Sequence, residues 1–175
     1  MGSTSIVSGA WEFKAADLLK HKRLGFVLIK YFPWLYRASM KLTQRMINRP
    51  SDKLLKTVRK TLPAPDYAVL ALPGRIERSR EALNEGLRSG TRGTAYDLQL
   101  YFENWDFSLT EIQMPLTLFY GEEDRNVPLT LVKRTVATLP TAELIMYPNE
   151  GHISVVVNQI DAIAKVLLGK DPPSL

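Results

Sequence analysis

A chain of 175 residues, 45% apolar and 23% charged, is long enough for a globular core and too apolar for disorder. With no cysteine it has no disulfides, no thiolate metal sites and no thiol catalysis, which fits a reducing compartment. The net charge of +5 is uneven: residues 11–60 hold thirteen Lys or Arg against Glu12, Asp17 and Asp52, a net of +10, leaving −5 on the remainder.

The opening "MGSTSIVSGAW" has neither a basic n-region nor a long apolar h-region, so no secretory signal and a cytoplasmic location are expected. Within it, "TSIVSGA" at 4–10 is a β-branched, apolar run stopped by Gly9, consistent with a short buried strand. From about Asp17 to Asn48 the pattern is helical, and Pro33 either starts a second helix or kinks a single one. In "WLYRASMKLTQRMIN" the residues Leu35, Met40, Leu42 and Met46 can share one face. The cations of this region, including Lys22, Lys30, Arg37, Lys41 and Arg45, are interleaved with apolar residues at helical spacing, the pattern of a solvated helix face. Without a phosphate loop, an RNA-binding aromatic motif or zinc-finger spacing, no nucleic-acid partner is expected. "RPSDKLLKTVRKTLP" offers Ser51 or Asp52 as an N-cap and Pro63 as a stop. "PAPDYAVLAL", "GRIERSREALNEGLRSG" and "TAYDLQLYFENW" continue as helices, the second closed by Gly90.

At Met114 the grammar changes. "PLTLFYG" (115–121), "PLTLVKRTVATLP" (128–140), "AELIMYP" (142–148) and "HISVVVNQIDAIAKVLL" (152–168) alternate strand, helix, strand, helix, which implies a parallel sheet flanked by helices. The loops 121–127 and 148–152 then both follow the carboxyl ends of strands, where ligand sites gather in open α/β sheets. The first loop carries Asp124 and the second His152. An imidazole takes a proton near neutral pH, and a carboxylate beside it fixes its tautomer and stabilises the imidazolium, so the two form a candidate acid–base pair.

The run Gly121, Asp124, Val127, Pro128, followed by a helix, a strand and then Gly151 and His152, resembles the C-terminal part of the α/β-hydrolase superfamily. The likeness is to its lid-bearing esterase, epoxide-hydrolase, haloperoxidase and proline-iminopeptidase-like members. It covers about 112–168, and the preceding helical hundred residues resemble such a family's lid in position and length. The resemblance implies an α/β fold made of the C-terminal part of the parallel sheet, about three strands, with a large helical lid. It divides the chain into a pre-lid strand at 1–10, a lid over 11–110, an α/β core over 111–170 and a tail at 171–175. It makes Asp124 the triad acid and His152 the general base. Gly121 is expected to let the chain turn as it leaves the strand, and Gly151 to give the His loop room.

The family's nucleophile belongs in a G-x-S-x-G elbow between strand and helix. No serine of this sequence lies in that arrangement, and Ser8 falls at the end of the pre-lid strand. Asp17, Asp52, Asp66, Asp97 and Asp106 all fall in or beside lid-like segments, so none is expected to replace it. The expectation is therefore a lid and C-terminal half that supplies acid and base for ester, amide or related hydrolysis but lacks the nucleophile. A late start codon, a truncated gene, an expressed fragment or a half that pairs with a separate chain would each account for this. The alternative is a non-catalytic ligand-binding or interaction module of hydrolase shape, using Trp11, Phe13, Phe26, Tyr31, Phe32, Trp34 and Tyr36. No cofactor is expected, and no metal, since His21 and His152 are the only histidines. The expected partners are a small-molecule substrate and either a missing N-terminal half or a second copy, because the first strand would present an unpaired edge. A membrane surface is not expected to be a partner.

Overall fold

The computed structural model describes residues 4–9, 24–103 and 105–169. Among them the chain forms strand β1 (Thr4–Val7) and six helices: α1 (Leu24–Tyr31), α2 (Pro33–Ile47), α3 (Ser51–Val58), α4 (Ala64–Leu70), α5 (Arg75–Gly86) and α6 (Arg92–Leu100). A 3-10 turn at Leu109–Glu111 leads into β2 (Leu116–Gly121), α7 (Leu129–Val136), β3 (Ala142–Tyr147), α8 (Ser154–Asn158) and α9 (Ile160–Leu167). The described residues divide into two compact units, one made of 4–9, 61–69 and 106–169 and the other of 24–60 and 70–105.

The first unit is a parallel sheet in the order β1-β2-β3, with Ile6 beside Leu118 and Leu118 beside Leu144. Period-two alternation sends the side chains of β2 to opposite faces. Leu116, Leu118 and Tyr120 pack with Val127, Val132 and Leu139 on the α7 side, while Phe119 joins Ile145, Tyr147, Val155, Ile163 and Val166 on the α8 and α9 side. Strand β2 is therefore apolar on both faces, as a central strand between helical layers must be. Among the described residues β1 has a strand neighbour on one side only. Near it lies an open groove of about 460 Å³ lined by Thr4, Ile6, Glu111, Ile112, Gln113, Met114 and Leu116.

The second unit is helical. Arg80 of α5 ties its loops, donating from Nε to Ile47 O and from Nη2 to Arg49 O and Ser51 Oγ, so one guanidinium serves the end of α2 and the start of α3. The side-chain amides of Asn48 and Asn84 bond each other reciprocally at 2.8 and 3.1 Å.

Three local expectations need correction. Pro33 starts a new helix, but the inward face of α2 is Tyr36, Met40, Thr43 and Ile47, while Leu35 and Leu42 are exposed. A 3.6-residue period leaves the direction of the stripe to tertiary packing, and the competing stripe won. Ser51 and Asp52 lie inside α3, whose N-cap position is Pro50, and the Ser51 hydroxyl serves Arg80. The run 152–168 is two helices separated at Gln159. Trp11, Phe13 and the helix expected from Asp17 lie outside the described residues before Leu24.

Candidate active site

The strands deliver two loops to one edge of the sheet. Strand β2 ends at Gly121, and its loop is bonded to the one after β3: Glu122 N–H donates to Tyr147 O at 3.0 Å and Glu123 N–H to Glu150 O at 2.8 Å. A Cβ on Gly121 would run into the Glu150 carbonyl and lie 2.6 Å from Gly151 O. Gly121 is thus demanded by the close approach of the two loops. It does not lie in the left-handed region, so the expected turning role is not what fixes it.

Asp124 is held from both sides. Its Oδ1 accepts from the N–H groups of Asn126 at 2.6 Å and Val127 at 2.9 Å, which closes the turn that leads into Pro128 and α7. Its Oδ2 lies 2.8 Å from His152 Nδ1. The Asp124 side chain is 3% exposed and the His152 side chain 31%. With a carboxylate as acceptor, the Nδ1 of a neutral imidazole carries the proton, leaving the Nε2 lone pair as the proton acceptor.

The histidine loop is gripped amide by amide. Gly151 N–H donates to Ser154 Oγ at 2.7 Å, His152 N–H to Asp66 Oδ2 at 3.2 Å, and the N–H groups of Ile153 and Ser154 to Asp66 Oδ1 at 2.9 Å each. On the carbonyl side, Ser8 Oγ donates to His152 O at 3.3 Å. The Ser8 hydroxyl thus meets the main chain of the histidine rather than its ring. Ser8 (φ 48°) and Asn149 (φ 58°) are left-handed residues just beyond the ends of β1 and β3, where the chain must turn sharply. The Glu150 carboxylate is buried and accepts from Asn158 Nδ2 and Gln159 Nε2, which ties the α8–α9 junction to the same loop.

The structure therefore brings together the two residues singled out in the sequence, Asp124 and His152. Of the other aspartates weighed there, Asp66 sits at the histidine loop, 2% exposed. Sequence reasoning missed it and Glu150. The available signal was an acid inside the otherwise apolar "PAPDYAVLAL" together with a glycine directly before the histidine. Gly151 is explained by the same contact, because its Cβ would lie 2.5 Å from Asp66 Cγ and 2.7 Å from Oδ2. Among the described residues there is no cluster of three or more His, Asp or Glu that could hold a metal, and no helix long and apolar enough to cross a membrane.

A parallel sheet with helices on both faces places the chain among α/β folds, and similar solved structures show that its fold is that of the α/β-hydrolases. The chain superposes on BpoC of Mycobacterium tuberculosis, assigned as a non-heme bromoperoxidase, with a TM-score of 0.55 at 13% identity, covering 97% of this chain and 57% of that one. It is similar to a thermophilic esterase of Thermogutta terrifontis, solved with malate bound, with a TM-score of 0.54 at 17% identity over 95% of this chain and 56% of that one. A third similar structure, Rv0554 of Mycobacterium tuberculosis, gives a TM-score of 0.54 at 14% identity over 96% and 55%. The chain spans a little over half the length of these proteins. No family model and no curated protein matches it by sequence.

Proposed function

We propose that this chain supplies the acid and base of a cofactor-free hydrolase for ester, amide or related bonds, and that the nucleophile stands on a segment outside these 175 residues. The observation that carries the reading is the 2.8 Å contact between His152 Nδ1 and an Asp124 carboxylate whose other oxygen is already held by two amides. In this reading a serine hydroxyl gives its proton to His152 Nε2 as its oxygen bonds to the substrate carbonyl carbon. The imidazolium, stabilised by Asp124, then returns the proton to the leaving group as the scissile bond breaks. A water repeats the cycle and frees the acid product. In this reading the helical unit corresponds to the lid of such a hydrolase.

The 175-residue chain alone lacks both covalent transfer and oxyanion donors, the latter worth about 3 kcal/mol or more. It is expected to show negligible p-nitrophenyl ester turnover. Joined or co-expressed with an upstream segment carrying G-x-S-x-G, it is expected to turn over, and His152→Ala to abolish this. Saturable turnover by the chain alone that His152→Ala removes would overturn the missing-nucleophile part. Turnover of the completed protein that survives His152→Ala would overturn the whole.

A second reading, a non-catalytic binding module, draws on Tyr31, Phe32 and Trp34, which are 60%, 48% and 67% exposed in a basic region. Co-sedimentation with anionic liposomes at low salt favours that reading if binding is seen and removes its membrane version if not.

A further inference from the structure

We infer that Asp66 is a positioning residue for the base: its carboxylate sets the His152 loop so that the imidazole meets Asp124. The inference rests on the reading of Asp124 and His152 given above and adds a residue to it. Asp66 lies in α4, on the stretch 61–69 that packs with the α/β unit although both flanking stretches belong to the helical one. Its side chain is buried, at 2% exposure, and takes three successive main-chain N–H groups, those of His152, Ile153 and Ser154. Successive amides aimed at one anion form a nest, a geometry that fixes the backbone dihedrals between them. The middle of that nest is one peptide removed from the imidazole.

Nothing in a helix core requires an ionisable residue here. Burying a carboxylate is unfavourable unless several donors replace its water, so its retention in an apolar helix points to the loop it organises. Gly151 supports the same conclusion. The three heavy atoms nearest a Cβ at this position all belong to the Asp66 carboxyl, so the residue before the histidine is cut back to admit this acid.

Two substitutions approach the contact from opposite sides. Asp66→Asn keeps the size but offers an amide NH₂ where one oxygen accepted, setting donor against donor at one of the three N–H groups. Gly151→Ala keeps the charge but drives a methyl into the carboxyl. Because His21 and His152 are the only histidines, selective ¹⁵N-histidine labelling of the full chain, with His21→Gln for assignment, reports the His152 ring and its own amide in one sample. The parent chain is expected to show a downfield, slowly exchanging Nδ1 proton. Each variant is expected to lose that signal, with amide exchange at His152 at least roughly tenfold faster and far-UV circular dichroism unchanged. The double variant should be no worse than either single one, since both break one contact.

In the protein completed by its nucleophile segment, Asp66→Asn is expected to lower kcat roughly ten- to a hundredfold with KM little changed. An unchanged ring signal in both variants overturns the inference. So does global unfolding of both, which would make Asp66 a general support of the fold. If His152→Ala spares turnover, the functional reading falls while the ring signal still decides the role of Asp66.

Discussion

Replacing Gly121 by alanine tests whether the two loops are as tightly keyed as their geometry implies. The three heavy atoms nearest the added methyl are all main-chain, the Glu150 carbonyl and Gly151 O, so no side-chain rotation can relieve that contact. Moving Gly151 O from 2.6 Å to ordinary contact at 3.4 Å requires a retreat of about 0.8 Å, and the nearer Glu150 carbonyl must retreat further. If the retreat is carried through to His152, the 2.8 Å contact with Asp124 opens to about 3.6 Å, which no longer bonds. Overpacking of this kind destabilises by about 1–3 kcal/mol. Urea unfolding at matched protein concentration measures that change, and ¹⁵N-histidine spectra report loss of the downfield ring proton. Gly86→Ala is the control: a Cβ there meets nothing within 4 Å at the end of α5, so a gain of up to about 1 kcal/mol is expected. Gly121→Ala with parental stability and an intact ring signal would show that the loops separate freely and refute the reasoning.

In the completed enzyme, Asp124→Asn is expected to reduce kcat by about 10⁴ with the fold retained, because the ring loses its tautomer-fixing acceptor; steady-state kinetics check it. Leu118→Ala empties a fully buried site on the central strand and should destabilise by about 2–5 kcal/mol in the same urea assay. Burial raises the Tyr147 phenol above its usual value of 10.0, and its hydroxyl has no partner among the described residues. A raised folded-state value means stability that is full below pH 10 and lost as the pH climbs through the folded value, so Tyr147→Phe should flatten the alkaline side of the stability profile. The edge of β1, which has a strand neighbour on one side only among the described residues, should make the isolated chain self-associate. Light scattering that finds a cooperatively unfolding monomer at micromolar concentration would refute this.

Much of the α/β unit was legible because its signals are local. The apolar runs that become β2 and β3 are closed by Gly121 and Pro148, and Pro128 stands directly before α7. The contact between Asp124 and His152 was legible for the same reason, since each sits on the loop that directly follows a strand. What the sequence withheld depends on contacts across the chain. Asp66 is 86 to 88 positions from the amides it holds, and no spacing rule connects an acid in a short helix to a loop that far along. The break at Gln159 was equally invisible, because Asn158 and Gln159 turn their side-chain amides to Glu150, an acid with no marking pattern of its own. The face of α2 was misjudged because Leu35 and Leu42 recur at a valid helical interval, and only packing selects between intervals.

The donors and acceptors around Asp124 and His152 explain how the pair is oriented within one unit. Among the described residues, the partners that orient the pair come from within the α/β unit: two amides on one oxygen of Asp124, the imidazole on the other, Asp66 and Ser154 on four successive amides, and Ser8 on the histidine carbonyl. These bonds replace the water that a 3% exposed carboxylate would otherwise hold, so the ring is locked by the same contacts that make burial of its partner tolerable. The edge of the ring away from Nδ1 is the one not engaged by Asp124. On the proposed reading, the incoming segment need only place one hydroxyl within about 3 Å of Nε2, because the orientation of the base is already determined. That separation of tasks is also why damage to Gly121, Gly151 or Asp66 should appear in the ring of His152 whether or not a nucleophile is present.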